Sequence, residues 1–267
     1  MDLIQRMHYE RLGKIRGIYW LYQVNMAFNS NKIEGSQLSQ DQTQHLFDEN
    51  RIYSENGESV SMDDINETLN HFKAFDYILD NVNEDLDKEM MKELHFILKN
   101  NTSDMRNPLT PIGEFKIENN VIGNLDQTPA IPPEDVEYEL ELLLADYSNR
   151  ENIQLEDIVD FHAKFEQIHP FADGNGRVGR LIAFKECLKH NIMPSIIFDK
   201  YRHFYILGLK EYDIESKERL LETFKVGQDY CEQVLKRLNF KGEINESMKS
   251  KKRNEEKPYN KNKDLEK

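Results

Sequence analysis

Ile168-His169-Pro170-Phe171-Ala172-Asp173-Gly174-Asn175-Gly176-Arg177-Val178-Gly179-Arg180 is the stretch on which the reading of this chain turns. It joins two segments with the apolar spacing of helices, 156–168 and 177–190. Gly174 and Gly176 permit turns closed to other residues, which can aim consecutive backbone N–H groups inward as an anion nest. The helix that follows adds its positive N-terminal end. Arg177 and Arg180, three apart, fall on one side of that helix and suit bidentate contact with phosphate oxygens. Asp173 offers a hard oxygen ligand for Mg²⁺ beside the nest. His169, at the end of the preceding helix, can take a proton near neutral pH. Triphosphate, metal and base are the chemistry these residue types suggest.

Outward from this loop, helical periodicity dominates. A first helix is expected over 2–28, with a break at Asn29-Ser30-Asn31 and Ser30 capping a short helix through Glu34 that Gly35 ends. Ser39 can cap the next helix, and Ser61, followed by Asp63 and Asp64, opens one to about residue 79. Further helices are expected at 87–98, 134–147, 201–212 and 216–238. Between residues 102 and 133 the texture changes to five prolines and two short extended runs flanking Asn119-Asn120, which predicts a β-hairpin turning at that pair. The expected fold class is all-α with one hairpin.

Of the 267 residues 31% are charged, with a net charge of −14. Residues 241–267 hold nine basic and six acidic side chains and almost nothing apolar, a composition that predicts a disordered tail. That leaves 26 basic and 43 acidic residues, a net −17, on residues 1–240. Such a body repels phosphate backbones and argues against nucleic-acid and anionic-membrane partners. Cys187 and Cys231 lack ligand-spaced partners, so neither a zinc site nor a disulfide framework is expected. No apolar run is long enough to span a membrane and no signal-peptide core stands at the N-terminus, which gives a cytoplasmic expectation.

The stretch from His169 to Arg180 resembles the Fic family signature HxFx[D/E]GNGRxxR at every fixed position. A chance match has odds of roughly one in ten million. The likeness runs more loosely from about Ser30 to Phe224. It implies a Fic-fold helical bundle whose hairpin is a flap, with N-terminal helices over 1–50 and a catalytic domain over 51–240. It further implies transfer of AMP from ATP, with Mg²⁺, to a Tyr, Thr or Ser hydroxyl of a protein, self-modification included. Carried over by residue, His169 is the general base and Asp173 the Mg²⁺ ligand. Gly174, Asn175 and Gly176 form the anion hole, Arg177 supports the β-phosphate and Arg180 the γ-phosphate. Ile122 and Gly123 are the flap contacts to nucleotide, and Tyr205 and Asp213 stand at positions comparable to adenine-pocket residues.

Ser30-Asn31-Lys32-Ile33-Glu34-Gly35 fits the family's inhibitory pattern [S/T]xxxE[G/N], as in its class II members. Ser30 and Glu34 are i, i+4 neighbours, so the hydroxyl can steady the carboxylate, while Gly35 lets the helix end approach another backbone. The implied mechanism is a Glu34–Arg180 ion pair that denies the γ-phosphate its partner. Two other functions stay open: a Fic-fold hydrolase that removes AMP, and a nucleotide-binding regulatory module without turnover. Self-association also stays open.

Overall fold

In the computed structural model the elements follow in the order α1 (Leu3–Gly13), α2 (Ile18–Ile33), α3 (Gln40–Glu49), α4 (Met62–Asp80), α5 (Lys88–Lys99), a 3-10 turn at Ser103–Arg106, β1 (Val121–Ile122), β2 (Thr128–Pro129), α6 (Pro133–Ser148), α7 (Leu155–Ile168), α8 (Asn175–Lys189), a 3-10 turn at Asp199–Tyr201, α9 (Arg202–Lys210) and α10 (Glu218–Glu255). The structure describes residues 2–54, 57, 59–122, 128–212 and 217–255, with the side chains of α10 to residue 238. The all-α expectation with one hairpin holds. Residues Met1–Cys231 form one compact unit, and Glu232–Lys267 a second.

Helix α8 is the axis of the first unit. It is buried almost throughout, and α2, α4, α5 and α7 pack around it. An axial helix must be apolar on all sides or pair what is not. Lys185, fully buried, therefore donates to Glu84 O at 2.6 Å and pairs with Glu186 at 2.8 Å. Aromatic contacts fasten the neighbours, Tyr22 of α2 and Phe75 of α4 meeting Phe184 at centroid distances of 5.0 and 4.9 Å.

Local caps act where the sequence places them. Ser39 closes a full capping box with Gln42, and Ser61 and Asp87 accept the first-turn N–H groups of α4 and α5.

Three expectations are corrected. The first helix is two helices, because Lys14 turns left-handed at φ 49° and Gly17 leaves room for the buried Glu10 carboxylate, whose Oε2 accepts from Tyr19 N at 2.9 Å. No break occurs at residues 29–31, so Ser30 lies inside α2 rather than capping a new helix. The polar run stays helical because its side chains have partners: Asn29 Oδ1 accepts from Asp199 N at 3.0 Å, and Asn31 Nδ2 donates to Thr68 Oγ1 at 3.3 Å. The hairpin does not turn at Asn119-Asn120 either. Both strands follow that pair, Val121 standing opposite Pro129 and Ile122 opposite Thr128, and residues 123–127 between them lie outside the described residues. Asn120 is instead an anchor, donating to Phe171 O at 3.0 Å and accepting from Lys116 Nζ at 2.7 Å.

Helix α10 continues to Glu255, so helical backbone reaches past Lys241, where a disordered tail was expected to begin. No proline interrupts the chain there before Pro258. The rest of that expected tail, 256–267, lies outside the described residues. Among the described residues no helix is long and apolar enough to cross a membrane.

Candidate active site

Helix α7 ends because His169 adopts φ 53°, its N–H returning to Phe165 O at 3.0 Å, and Pro170 cannot continue the ladder. The loop is then stapled to α8. Asn175 Oδ1 accepts from Phe171 N and its Nδ2 donates to Phe171 O, both at 2.8 Å. Phe171 is fully buried and stacks on His95 of α5 at 4.1 Å. Gly174, at φ 81°, turns the chain into the first turn of α8, where the leading N–H groups have no intrahelical partner. Residues 174–176 thus stand at the N-terminal end of α8, and the Asn175 side chain serves the loop.

His169 stands at the mouth of this loop, its Nδ1 3.3 Å from Glu166 O. Donation from Nδ1 leaves Nε2 as the acceptor of the neutral ring. Burial and then the nearby Lys116 charge lower its pKa to about 4, so the neutral form prevails at pH 7. Lys116 is itself pulled down to about 8 by burial, and its ammonium donates to Ile168 O at 3.4 Å.

Asp173 and Arg177 belong to a cluster of five charged side chains. Lys99 Nζ lies 2.7 Å from Glu67, 2.5 Å from Asp104 and 2.6 Å from Asp173. Arg177 pairs with Glu67 at 2.7 Å and Asp173 at 3.0 Å. Burial acts to raise the Asp173 pKa, but the Arg177 and Lys99 charges outweigh it and hold the carboxyl well below the usual range. Arg177 is only 2% exposed, so it does not stand open beside Arg180 as the three-residue spacing suggests.

Arg180 faces another way. Its Nη2 donates to Glu34 Oε1 at 2.6 Å and to Ser30 O at 3.1 Å, and its Nε donates to Ser30 Oγ at 2.9 Å. The Ser30 hydroxyl thus holds the guanidinium, not the Glu34 carboxylate. A Cβ on Gly176 would collide with Glu34 Oε1, so that carboxylate lies directly against the first turn of α8. Burial works to lower the Arg180 pKa, yet Glu34 and its neighbours raise it above the ordinary value. Gly35 is required for its φ of 107°; no atom approaches its Cβ position within 4 Å, contrary to the expected backbone contact.

Tyr205 is 1% exposed, and its hydroxyl is taken up by His162 Nε2 at 2.8 Å and Arg180 Nη1 at 3.4 Å, so it supports the arginine rather than lining an open adenine pocket. Ile122 lies half-buried at the end of β1. Gly123 and Asp213 lie outside the described residues. Sequence reading missed Glu67, His95, Lys99 and Asp104. Two of these left a trace: His95 and Lys99 interrupt the apolar stripe Met91, Leu94, Leu98 of α5, and a polar group on a buried stripe needs a partner.

Residues 85–186 match the Fic/DOC family. A stretch of 51 residues is 47% identical to a probable protein adenylyltransferase of Aquifex aeolicus, covering 19% of this chain and 15% of that protein. The fold is shared with a Fic domain containing signaling protein from Bacteroides thetaiotaomicron (TM-score 0.65, 19% identity, 88% of this chain and 93% of that one). It is shared also with a Fic-1 fragment from C. elegans (TM-score 0.63, 21% identity, 86% and 65%).

Proposed function

We propose that the Fic/DOC domain of this chain transfers AMP from ATP to a hydroxyl side chain of a protein, itself included, and that Glu34 restrains it in the manner of the class II type. One observation carries the reading: the Glu34 carboxylate sits against Gly176, at the positive end of α8, and pairs with Arg180. An anion therefore already occupies the place where the backbone and the guanidinium favour one.

In the reaction the target hydroxyl oxygen attacks the α-phosphorus as its bond to the bridging oxygen breaks, and pyrophosphate leaves. The hydroxyl proton passes to His169 Nε2, which the Nδ1 contact with Glu166 O leaves free to accept it. N–H groups at residues 174–176 meet the growing charge on the phosphates, and Arg180, once freed, takes the γ-phosphate. The outer edge of β1, where Val121 is exposed, can pair with an extended target segment. Asp173 offers a Mg²⁺ carried by the nucleotide a side chain that is 55% exposed, while the neighbouring Glu67 and Asp104 oxygens close on the Lys99 ammonium and are not free for the ion. Bound there the ion would neutralise charge on the leaving phosphates.

A second reading is removal of AMP by water, for which the Glu34 carboxylate, lying against Gly176 in the first turn of α8, would align the water. Labelled ATP and Mg²⁺ separate the two. Glu34→Gly protein should incorporate label, and adding His169→Ala should lower incorporation by roughly 10²–10⁴-fold while ATP still binds. Loss of ATP binding in folded His169→Ala protein would give His169 another role, and release of AMP from pre-labelled protein without incorporation would favour the hydrolase.

A further inference from the structure

Behind Arg180 lies a second carboxylate that the proposed reaction does not use. Glu166 and His162, one turn apart on α7, are both more than nine-tenths buried. Gly179 lets them approach α8: a Cβ there would stand 2.8 Å from Glu166 Oε1 and 3.0 Å from His162 Nδ1. Glu166 Oε1 has no hydrogen-bond partner, and His162 Nδ1 reaches only toward the Gly179 backbone, short of good hydrogen-bond geometry. The other ring nitrogen, His162 Nε2, is 2.8 Å from Tyr205 OH, which in turn lies 3.4 Å from Arg180 Nη1.

A guanidinium only donates, so the Tyr205 oxygen accepts from Arg180, and its O–H, which has no other acceptor among the described groups, donates to His162 Nε2. A neutral imidazole then carries its proton on Nδ1, facing the gap at Gly179 that Glu166 Oε1 also faces. Burial, with Arg180 adding to it, holds the His162 pKa down at about 3, so the ring is neutral. Burial pushes Glu166 up to about 8; Arg180 acts to lower it and Glu34 to raise it further. The titratable groups around Glu166 and Arg180 are thus Glu34 from α2, His71 from α4, His162 from α7 and Tyr205 from α9.

We propose that Glu166 is the second counter-ion of Arg180: protonated and slack while Glu34 holds the guanidinium, ionised and closed on His162 Nδ1–H when Glu34 withdraws. A fully buried arginine with no anion is unstable, and the chain through Tyr205 and His162 ends on the one other carboxylate placed to supply it. The proton lost by Glu166 goes to solvent and returns when an anion again faces Arg180. Glu166 touches neither nucleotide nor reacting atoms, so it is a positioning residue. The inference rests on Glu34 being a displaceable clamp, yet its test needs no nucleotide and stands or falls separately from AMP transfer.

Melting temperatures of the full chain without nucleotide at pH 7.5 supply the test. Glu166→Gln alone should stay within about 2 °C of the parent, because an amide replaces a neutral acid of the same shape. Combined with Glu34→Gly it should cost roughly 10 °C more than the two single changes together. Additive losses would overturn the proposal. Should the double variant not fold, the ¹³C carboxyl signal of Glu166, assigned by its absence in Glu166→Gln, decides the matter. It should titrate roughly one pH unit lower in Glu34→Gly than in the parent, and equal midpoints would overturn the proposal as well.

Discussion

Arg177 and Arg180 leave the same helix three residues apart, and their surroundings divide the site in two. Arg177 is closed in by Glu67 and Asp173, which Lys99 also holds, so no partner can leave without unpairing another charge. Arg180 is as deeply buried, but its carboxylate comes from Glu34 at the end of α2, whose side chain is 34% exposed. Burial of a charge therefore does not decide whether it is fixed. The ties that hold its partner do: Asp173 is more exposed than Glu34 but is held by Lys99 as well, whereas Glu34 pairs with Arg180 alone among the described residues and recovers its hydration when it departs.

The largest expected effect tests what the two arginines share. Arg177 presses on buried His95 and His71, and Arg180 on His71 and His162; with His169, these rings are held at about 3 to 4, burial being the first cause in each. Depressed folded-state values mean that the unfolded chain binds more protons between about pH 6.5 and 4. The stability these rings contribute is complete above pH 6.5 and falls as acid is added, by up to about 1.4 kcal/mol per pH unit for each ring, while buried Glu166, raised to about 8, offsets the slope of one of them. Melting curves from pH 7 to 5 check this; a flat profile would mean that the histidines are not held neutral.

Separating the arginines comes next. Arg177→Met leaves Glu67, Asp104 and Asp173 to share the one Lys99 ammonium and should cost about 3–5 kcal/mol, a fall of roughly 10 °C in calorimetry. Arg180→Met should cost clearly less, since Glu34 can turn to water. Equal losses would erase the distinction. The smallest effect belongs to Ser30→Ala, which removes one hydrogen bond tying α2 to Arg180. It should raise AMP incorporation by no more than about fivefold, and a decrease would mean that Ser30 serves Arg180 in turnover rather than in restraint.

The sequence is legible where structure is local. Ser39, Ser61 and Asp87 cap helices within three residues of themselves, and the Asn175 staple closes across four, so these parts of the fold and the glycine loop follow from short spacings. Expectations fail where the deciding partner is remote. Asn29 keeps α2 helical through Asp199, and Asn120 is drawn from a turn to Phe171. Glu67, Lys99, Asp104 and Asp173 come from α4, α5, a 3-10 turn and the loop, and no spacing in the chain announces that they meet. The Glu34–Arg180 contact was legible only because each end sits in a recognisable motif.

The account stands on Arg180 being shared between Glu34 and a phosphate, and the rate of labelled AMP incorporation tests it most directly. A charged hydrogen bond of this kind is worth about 1.5–3 kcal/mol, so Glu34→Gly should be faster than the parent by roughly tenfold to a hundredfold, and adding Arg180→Ala should remove most of that gain. A folded, ATP-binding Glu34→Gly protein that incorporates AMP no faster than the parent would contradict it.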